Sequence, residues 1–152
     1  MTNEEFVSQI SDAQTTLYRV AKSILKNDED CADAIQNAVL KAFDKISTLK
    51  QKKYFRTWLT RILIHECYQI MRKKKEQVSY EEYMEKQEDS LGYSEVFHAL
   101  MELDEIYRVP FTLHYVEGYS TKVIAKILDI SISNVKTRLS RARAKLQERL
   151  EG

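Results

Sequence analysis

The stretch GYSTKVIAKILDISISNVKTRLSRARAKL, residues 118–146, holds two short apolar stripes separated by a turn, and it closes on a run of arginines and lysines. Ser120 is a residue type that caps helices. Ile124, Ala125 and Leu128 follow at helical spacing as a packing face, and alanine there allows another helix to come close. Asp129 and Ile130 make the turn, since Asp is among the few non-glycine residues that tolerate the left-handed conformation. A second helix is expected from about Ser133. Its Val135, Leu139, Ala142 and Leu146 recur at i, i+4, i+7 and i+11 and should point inward, leaving Lys136, Thr137, Ser140 and Arg141 outward together. Apolar spacing, turn chemistry and charge agree on a helix-turn-helix. Its outward side chains can pair with base edges and phosphates. A plain αα-hairpin with a solvated basic face is the simpler alternative.

Charge is segregated along the rest of the chain. Net charge is only +1, but residues 50–75 carry nine Lys/Arg against Glu66 alone. Residues 76–105 carry ten Asp/Glu against Lys86 alone, and 136–145 carry five basic residues and no acid. Two basic blocks around one acidic block suggest two polyanion-binding surfaces.

The first basic block ends in ILIHECYQIMRKKK, residues 62–75. As a helix from about Tyr54 to Lys75, it buries Leu59, Ile62/Leu63, Cys67 and Ile70. Arg61, His65, Tyr68 and Arg72 fall on another face. Tyr54, Phe55 and Trp58 precede that face, so rings and cations combine as a platform for unpaired bases. A zinc reading of HExxH fails because the second ligand position is Gln69, and His98 and His114 are the only other histidines. No metal and no cofactor is expected. A basic amphipathic helix could also lie on a membrane surface, but that leaves the helix-turn-helix without a purpose.

Upstream, Leu17, Val20, Ala21, Ile24 and Leu25 have helical spacing. Asp28-Glu29-Asp30 opens a second helix with acids where the macrodipole favours them, and Ala34/Ile35, Ala38/Val39, Ala42/Phe43 and Ile46 form its stripe. Ser47 to Lys53 is polar and reads as a loop. Residues 76–93 lose periodicity and read as an acidic linker. EVFHALMEL and DEIYRVPFTLHYVEG read as two further helices; Pro110 should kink the latter and Gly118 should end it. With 152 residues, 3 Gly and 1 Pro, the expected fold is all-α: two small helical domains, 1–75 and 94–152, joined by the linker.

Cys31 and Cys67 form no CxxC and read as reduced, partly buried thiols. No stretch is long and apolar enough to span a membrane, and MTNEEFVSQ is neither a secretory signal nor a transit peptide. A cytoplasmic protein without membrane insertion is expected. No nucleophile–base pair, phosphate loop or metal set points to an enzyme. A dimeric helix-turn-helix regulator leaves the aromatic-basic N-terminal half unexplained, and an adaptor protein does not need the basic face.

Taken together, the two halves resemble a bacterial RNA polymerase sigma factor of the extracytoplasmic-function (ECF) group over nearly the whole chain. DCADAIQNAVLKAF resembles the helix that grips the polymerase clamp. The resemblance implies core-polymerase contacts at Asp33, Gln36, Asn37 and Lys41. YFRTWLTRIL…RKKK resembles the strand-opening and minus-ten-reading segment, which implies roles for Lys52, Lys53, Tyr54, Phe55, Trp58, Arg61, His65, Tyr68, Gln69 and Arg72. Residues 118–146 resemble the minus-thirty-five-reading motif. There Lys136, Thr137, Ser140 and Arg141 would face bases, and Arg138 and Arg143 phosphates. Departures from the family pattern are His65 for Asn, Gln69 for Asp, Val123 for Glu and Asp129 for Gly. IHECYQIMRK is similar to the envelope-stress, sigma-V-like branch of Gram-positive bacteria. By the same resemblance the partners are core polymerase (clamp and flap), promoter DNA and a cognate anti-sigma factor, often membrane-anchored. The function implied is promoter recognition and strand opening without catalysis.

Overall fold

A computed structural model describes residues 1–77 and 95–151. All regular structure among them is helical. The chain divides into two compact units, Met1–Glu88 and Asp89–Gly152.

The first unit packs three helices against one another. α1 (Asn3–Leu25) starts in a capping box: the Glu5 N–H donates to Thr2 Oγ1 at 3.0 Å, and the Thr2 N–H reaches the Glu5 carboxylate at 3.5 Å. It ends at Lys26, whose φ of 69° closes the helix in the left-handed region. α2 (Asp28–Lys45) is capped by Asn27, which accepts from the Asp30 N–H at 2.9 Å, and its first turn holds the three acids expected there. Two 3-10 turns, Ile46–Thr48 and Lys52–Tyr54, bracket the predicted loop, and α3 (Phe55–Gln77) follows.

α2 contributes only small residues to the core. Ala34, Ala38 and Ala42 are fully buried with Cys31, so the backbone of α2 lies close to its neighbours. Against it α1 packs Leu17, Val20, Ala21, Ile24 and Leu25, and α3 packs Phe55, Leu59, Leu63, Cys67 and Met71. The expected stripe on α2 was too wide. Phe43 is 47% exposed, while Ile35, Val39 and Ile46 are half-buried. A stripe of alanines this narrow leaves the larger flanking side chains at the rim. On α3, Ile62 and Ile70 are likewise half-buried, and Ile64, Thr60 and Glu66 are buried. α3 also runs two residues past its predicted end. Glu76 and Gln77, assigned to the linker, are helical; the rest of that linker lies outside the described residues.

The second unit consists of α4 (Glu95–Glu102), α5 (Glu105–Phe111), α6 (Thr121–Leu128) and α7 (Ile132–Glu151). α7 is its spine: Ala142 and Leu146 pack on Ala99, Leu100 and Leu103, with Tyr107 and Phe111 against the cluster. Pro110 sits inside α5 and supplies no N–H for the Ile106 carbonyl. The predicted single helix therefore changes winding, becoming a π turn over Thr112–Val116 with the Glu117 N–H bonded to the Thr112 carbonyl at 3.0 Å. Gly118 ends it as expected. At φ 79° its own N–H reaches His114 O (3.2 Å), the bond of an αL cap, and the Tyr119 N–H reaches Leu113 O (2.9 Å). Arg108 is fully buried, and its guanidinium donates to the carbonyls of Met101 and Leu103, satisfying the end of α4.

Candidate nucleic-acid interface

Every local device predicted for the helix-turn-helix forms. Ser120 Oγ accepts from the Val123 N–H at 3.2 Å; Val123 cannot return the bond, so only half of a capping box exists. Asp129 adopts φ 57°, ψ 49°, and the next N–H, that of Ile130, bonds to Ala125 O at 3.1 Å. α7 begins at Ile132, slightly before the predicted start, because Ser131 caps it by accepting from the Asn134 N–H at 3.0 Å. Val135, Leu139, Ala142 and Leu146 are buried, and Lys136, Thr137, Ser140 and Arg141 are exposed. One packing residue differs: on α6 it is Ile127, with Ile124 and Ala125, that is buried, while Leu128 is half-buried.

Neighbours already hold several side chains of α7. Thr137 Oγ1 donates to Ser133 O at 3.0 Å. Arg138 is half-buried and donates through Nε to Asn134 Oδ1 at 3.1 Å. Arg143 donates to the Tyr115 hydroxyl at 2.5 Å, and Lys145 lies 5.4 Å over the Tyr107 ring. Nothing in the helical spacing of the sequence pointed to Tyr115 or Tyr107, because they belong to α5 and the π turn.

In the first unit, Arg61, His65 and Arg72 are exposed on one face of α3, with Tyr68 half-buried beside them. His65 and Gln69 meet at 3.1 Å through their side-chain nitrogens. Tyr54 is 53% exposed with the Lys53 ammonium 5.1 Å over its ring, and Trp58 is half-buried. Phe55 corrects the expectation. It is 1% exposed and meets Phe6 edge-on at 5.8 Å, so its ring belongs to the core and offers no stacking surface. Lys52 is exposed and bonds to Glu5 Oε2 at 2.8 Å. That ammonium, with the Thr2 N–H, holds the Glu5 carboxyl below the usual carboxylate range.

On α2, Asp33, Gln36, Asn37 and Lys41 are all exposed. Asn37 and Lys41 line a cleft of about 390 Å³ with Leu40, Glu66, Gln69, Ile70 and Lys73. Gln69, expected to act with His65, thus also borders residues expected to bind polymerase. Glu66 was missed as a participant. It lies on the buried side of α3 next to Cys67, and the Lys41 ammonium is ion-paired to its carboxylate. Among the described residues no cluster of three or more His, Cys, Asp or Glu could hold a metal ion, and no helix is long and apolar enough to cross a membrane.

The family profile described as "Sigma-70 region 2" matches residues 10–77, and that described as "Sigma-70, region 4" matches residues 93–146. The chain belongs to the ECF sigma factors, the dissociable and non-enzymatic RNA polymerase subunits that direct transcription initiation. It is 30% identical to the RNA polymerase sigma factor SigV of Bacillus subtilis, covering 93% of this chain and 88% of that one. It is 24% identical to the ECF RNA polymerase sigma factor SigW of the same organism, covering 97% and 89%. In fold it matches the sigma factor RpoE of Bartonella quintana, crystallised with the anti-sigma factor NepR, at a TM-score of 0.84 and 26% identity over 97% of this chain and 98% of that one.

Proposed function

We propose the following division of labour. α7 reads the minus-thirty-five element through Lys136, Thr137, Ser140 and Arg141, with Arg138 and Arg143 on phosphates. The exposed face of α3 and the turn before it (Lys52, Lys53, Tyr54, Trp58, Arg61, His65, Tyr68, Gln69 and Arg72) capture the minus-ten strand. The outer face of α2 (Asp33, Gln36, Asn37 and Lys41) docks on the polymerase clamp, and the second unit meets the flap. The observation that carries this reading is the opposition on α7 of a buried apolar row to an exposed polar-basic row, displayed after a capped turn.

Exposed apolar side chains support the docking role of α2. Leu40 is 59% exposed and stands beside Asn37 and Lys41, with Phe43 a turn further on; exposed apolar groups rimmed by polar ones suit a protein interface. Strand opening needs no catalytic group. A flipped base costs a few kcal/mol, and stacking returns about 1–3 kcal/mol per base. The protein acts in the cytoplasm, and a cognate anti-sigma factor, of the often membrane-anchored kind that the ECF resemblance implies, holds it inactive. The test is in vitro transcription with core polymerase on promoter fragments, with and without the chain: initiation should depend on it, and no added initiation refutes the assignment.

A further inference from the structure

The contact between Tyr115 and Arg143 joins two elements that the sequence kept apart. Arg143 lies on α7, seven residues after Lys136 and three after Ser140, on the same line of the helix. Tyr115 lies in the π turn that follows Pro110. Arg143 Nη1 donates to the Tyr115 hydroxyl at 2.5 Å, and the guanidinium carbon stands 6.0 Å from the ring centroid. The ring is held from two further sides, by Phe111 at 4.7 Å and by His114 edge-on at 4.8 Å. His114 is itself bonded through Nδ1 to the Tyr119 carbonyl at 2.8 Å, and Phe111 packs on the core cluster of the unit. Tyr115 is nonetheless 48% exposed, and Arg143 is exposed.

We propose that Tyr115 and Arg143 form one binding site for a single backbone phosphate of promoter DNA, with Tyr115 both positioning the guanidinium and donating to the phosphate itself. This rests on the reading of α7 as the DNA-binding helix. A phenol has one proton and can accept as well as donate. Because its oxygen accepts from Arg143, its own O–H points elsewhere, and the exposed side is where a phosphate oxygen can take it. The guanidinium has five N–H groups in a planar fork and spends one on Tyr115, leaving others for the same anion. The place is also appropriate. Arg143 lies beyond the row of Lys136, Thr137, Ser140 and Arg141 assigned to bases and is bonded to the neighbouring π turn, so the pair falls to the backbone. An arginine already held by a rigid ring loses less side-chain freedom on binding than a free one. Lys145 over Tyr107 is a looser version of the same arrangement, with no hydroxyl bond.

The full-length chain is assembled with core polymerase on a promoter fragment that it transcribes, and affinity is measured from 50 to 200 mM salt for Tyr115→Phe, Arg143→Gln, the double variant and Arg141→Ala. Tyr115→Phe keeps the ring and its packing, so its thermal midpoint should match wild type. Its affinity should fall about two- to tenfold, the range for one lost hydrogen bond, and by the same factor on duplexes altered in the minus-thirty-five bases. Arg143→Gln should also flatten the salt slope by about one unit, and the double variant should lose less than the sum of the singles, since both act on one anion. In a series of duplexes carrying one methylphosphonate each, a single position should abolish the effect of both substitutions. Wild-type affinity for Tyr115→Phe, or losses that add fully, overturns the shared site. If Arg141→Ala also binds as wild type, the assignment of α7 to DNA falls; if Arg141→Ala is impaired and Tyr115→Phe is not, only the phosphate site falls.

Discussion

Lys41 on α2 and Glu66 on α3 form an ion pair with unequal ends: the glutamate side chain is 4% exposed and the lysine 46%. Removing the lysine strands a buried carboxylate, whereas removing the charge from both ends does not. Lys41→Ala should therefore destabilise the first unit by about 1–3 kcal/mol, the range for leaving a buried group unsatisfied after discounting for the exposed end. Lys41→Ala with Glu66→Gln should recover much of that loss. Urea denaturation of the single and double variants measures it, and equal stability of the two would refute the coupling. Any loss of polymerase affinity in Lys41→Ala must then be read against this fold contribution.

Asp33 and Gln36 are the cleaner probes of polymerase docking. Both are exposed on the outer side of α2, away from buried Ala34. Replacing both with alanine should weaken binding to core polymerase and change stability by no more than ~0.5 kcal/mol. A large fall in thermal midpoint with normal affinity for core would show that this face of α2 is structural.

Much of this fold could be read from the chain because its signals are local. Acids after Asn27, Ser120 before an apolar stripe, Asp129 at a turn and Gly118 at a helix end each act within a few residues, and each operates as read. What could not be read depends on partners distant in sequence. Phe55 looked like a surface ring beside Tyr54 and Trp58, yet it is buried and meets Phe6 of α1, a partner distant in sequence. Phe43 fitted the α2 stripe by spacing, but the alanines had already set how close α3 comes. Arg143 looked like a free phosphate contact, and its partner Tyr115 is placed by the change of winding after Pro110.

Base reading should separate from stability on α7. Arg141 is exposed beside Ser140 on the face opposite Leu139 and Ala142. Arg141→Ala should cost about 1–3 kcal/mol of binding on the preferred minus-thirty-five sequence and relax preference at one base step. Affinity across a panel substituted at each base pair checks this. A uniform loss over the panel would move Arg141 to the phosphates.

Arg108 should be indispensable to the second unit although it faces no partner macromolecule. Its buried guanidinium donates to Met101 O and Leu103 O, carbonyls at and just after the end of α4 that have no further helical turn to satisfy them. Methionine fills similar space and donates nothing. Arg108→Met should destabilise the unit by about 1.5–3 kcal/mol, the worth of hydrogen bonds from a charged donor. Hydrogen exchange should speed up first in residues 95–111. Unchanged exchange there would mean that the carbonyls find other donors.

Cys67 gives the first unit an alkaline limit. Its side chain is fully buried between α2 and α3. Burial pushes the thiol well above its ordinary value of 9.0, and the nearby Cys31 and Glu66 push in the same direction. The sign follows from linkage. A raised acid holds its proton more tightly when folded, so below the unfolded value both states are protonated and stability is untouched. Above about pH 9 the unfolded chain sheds the proton while the folded one keeps it, and stability falls with rising pH by up to about 1.4 kcal/mol per unit. Tyrosines and lysines also titrate in this window, so the comparison is with Cys67→Ala, in which their contributions cancel. That variant should be less stable than wild type at pH 7, because a buried group is lost, yet its stability should decline less steeply between pH 9 and 10.5. Native Cys67 should also resist alkylation at pH 8 and react only on unfolding. Parallel stability curves for the two proteins would remove Cys67 as the source of the limit.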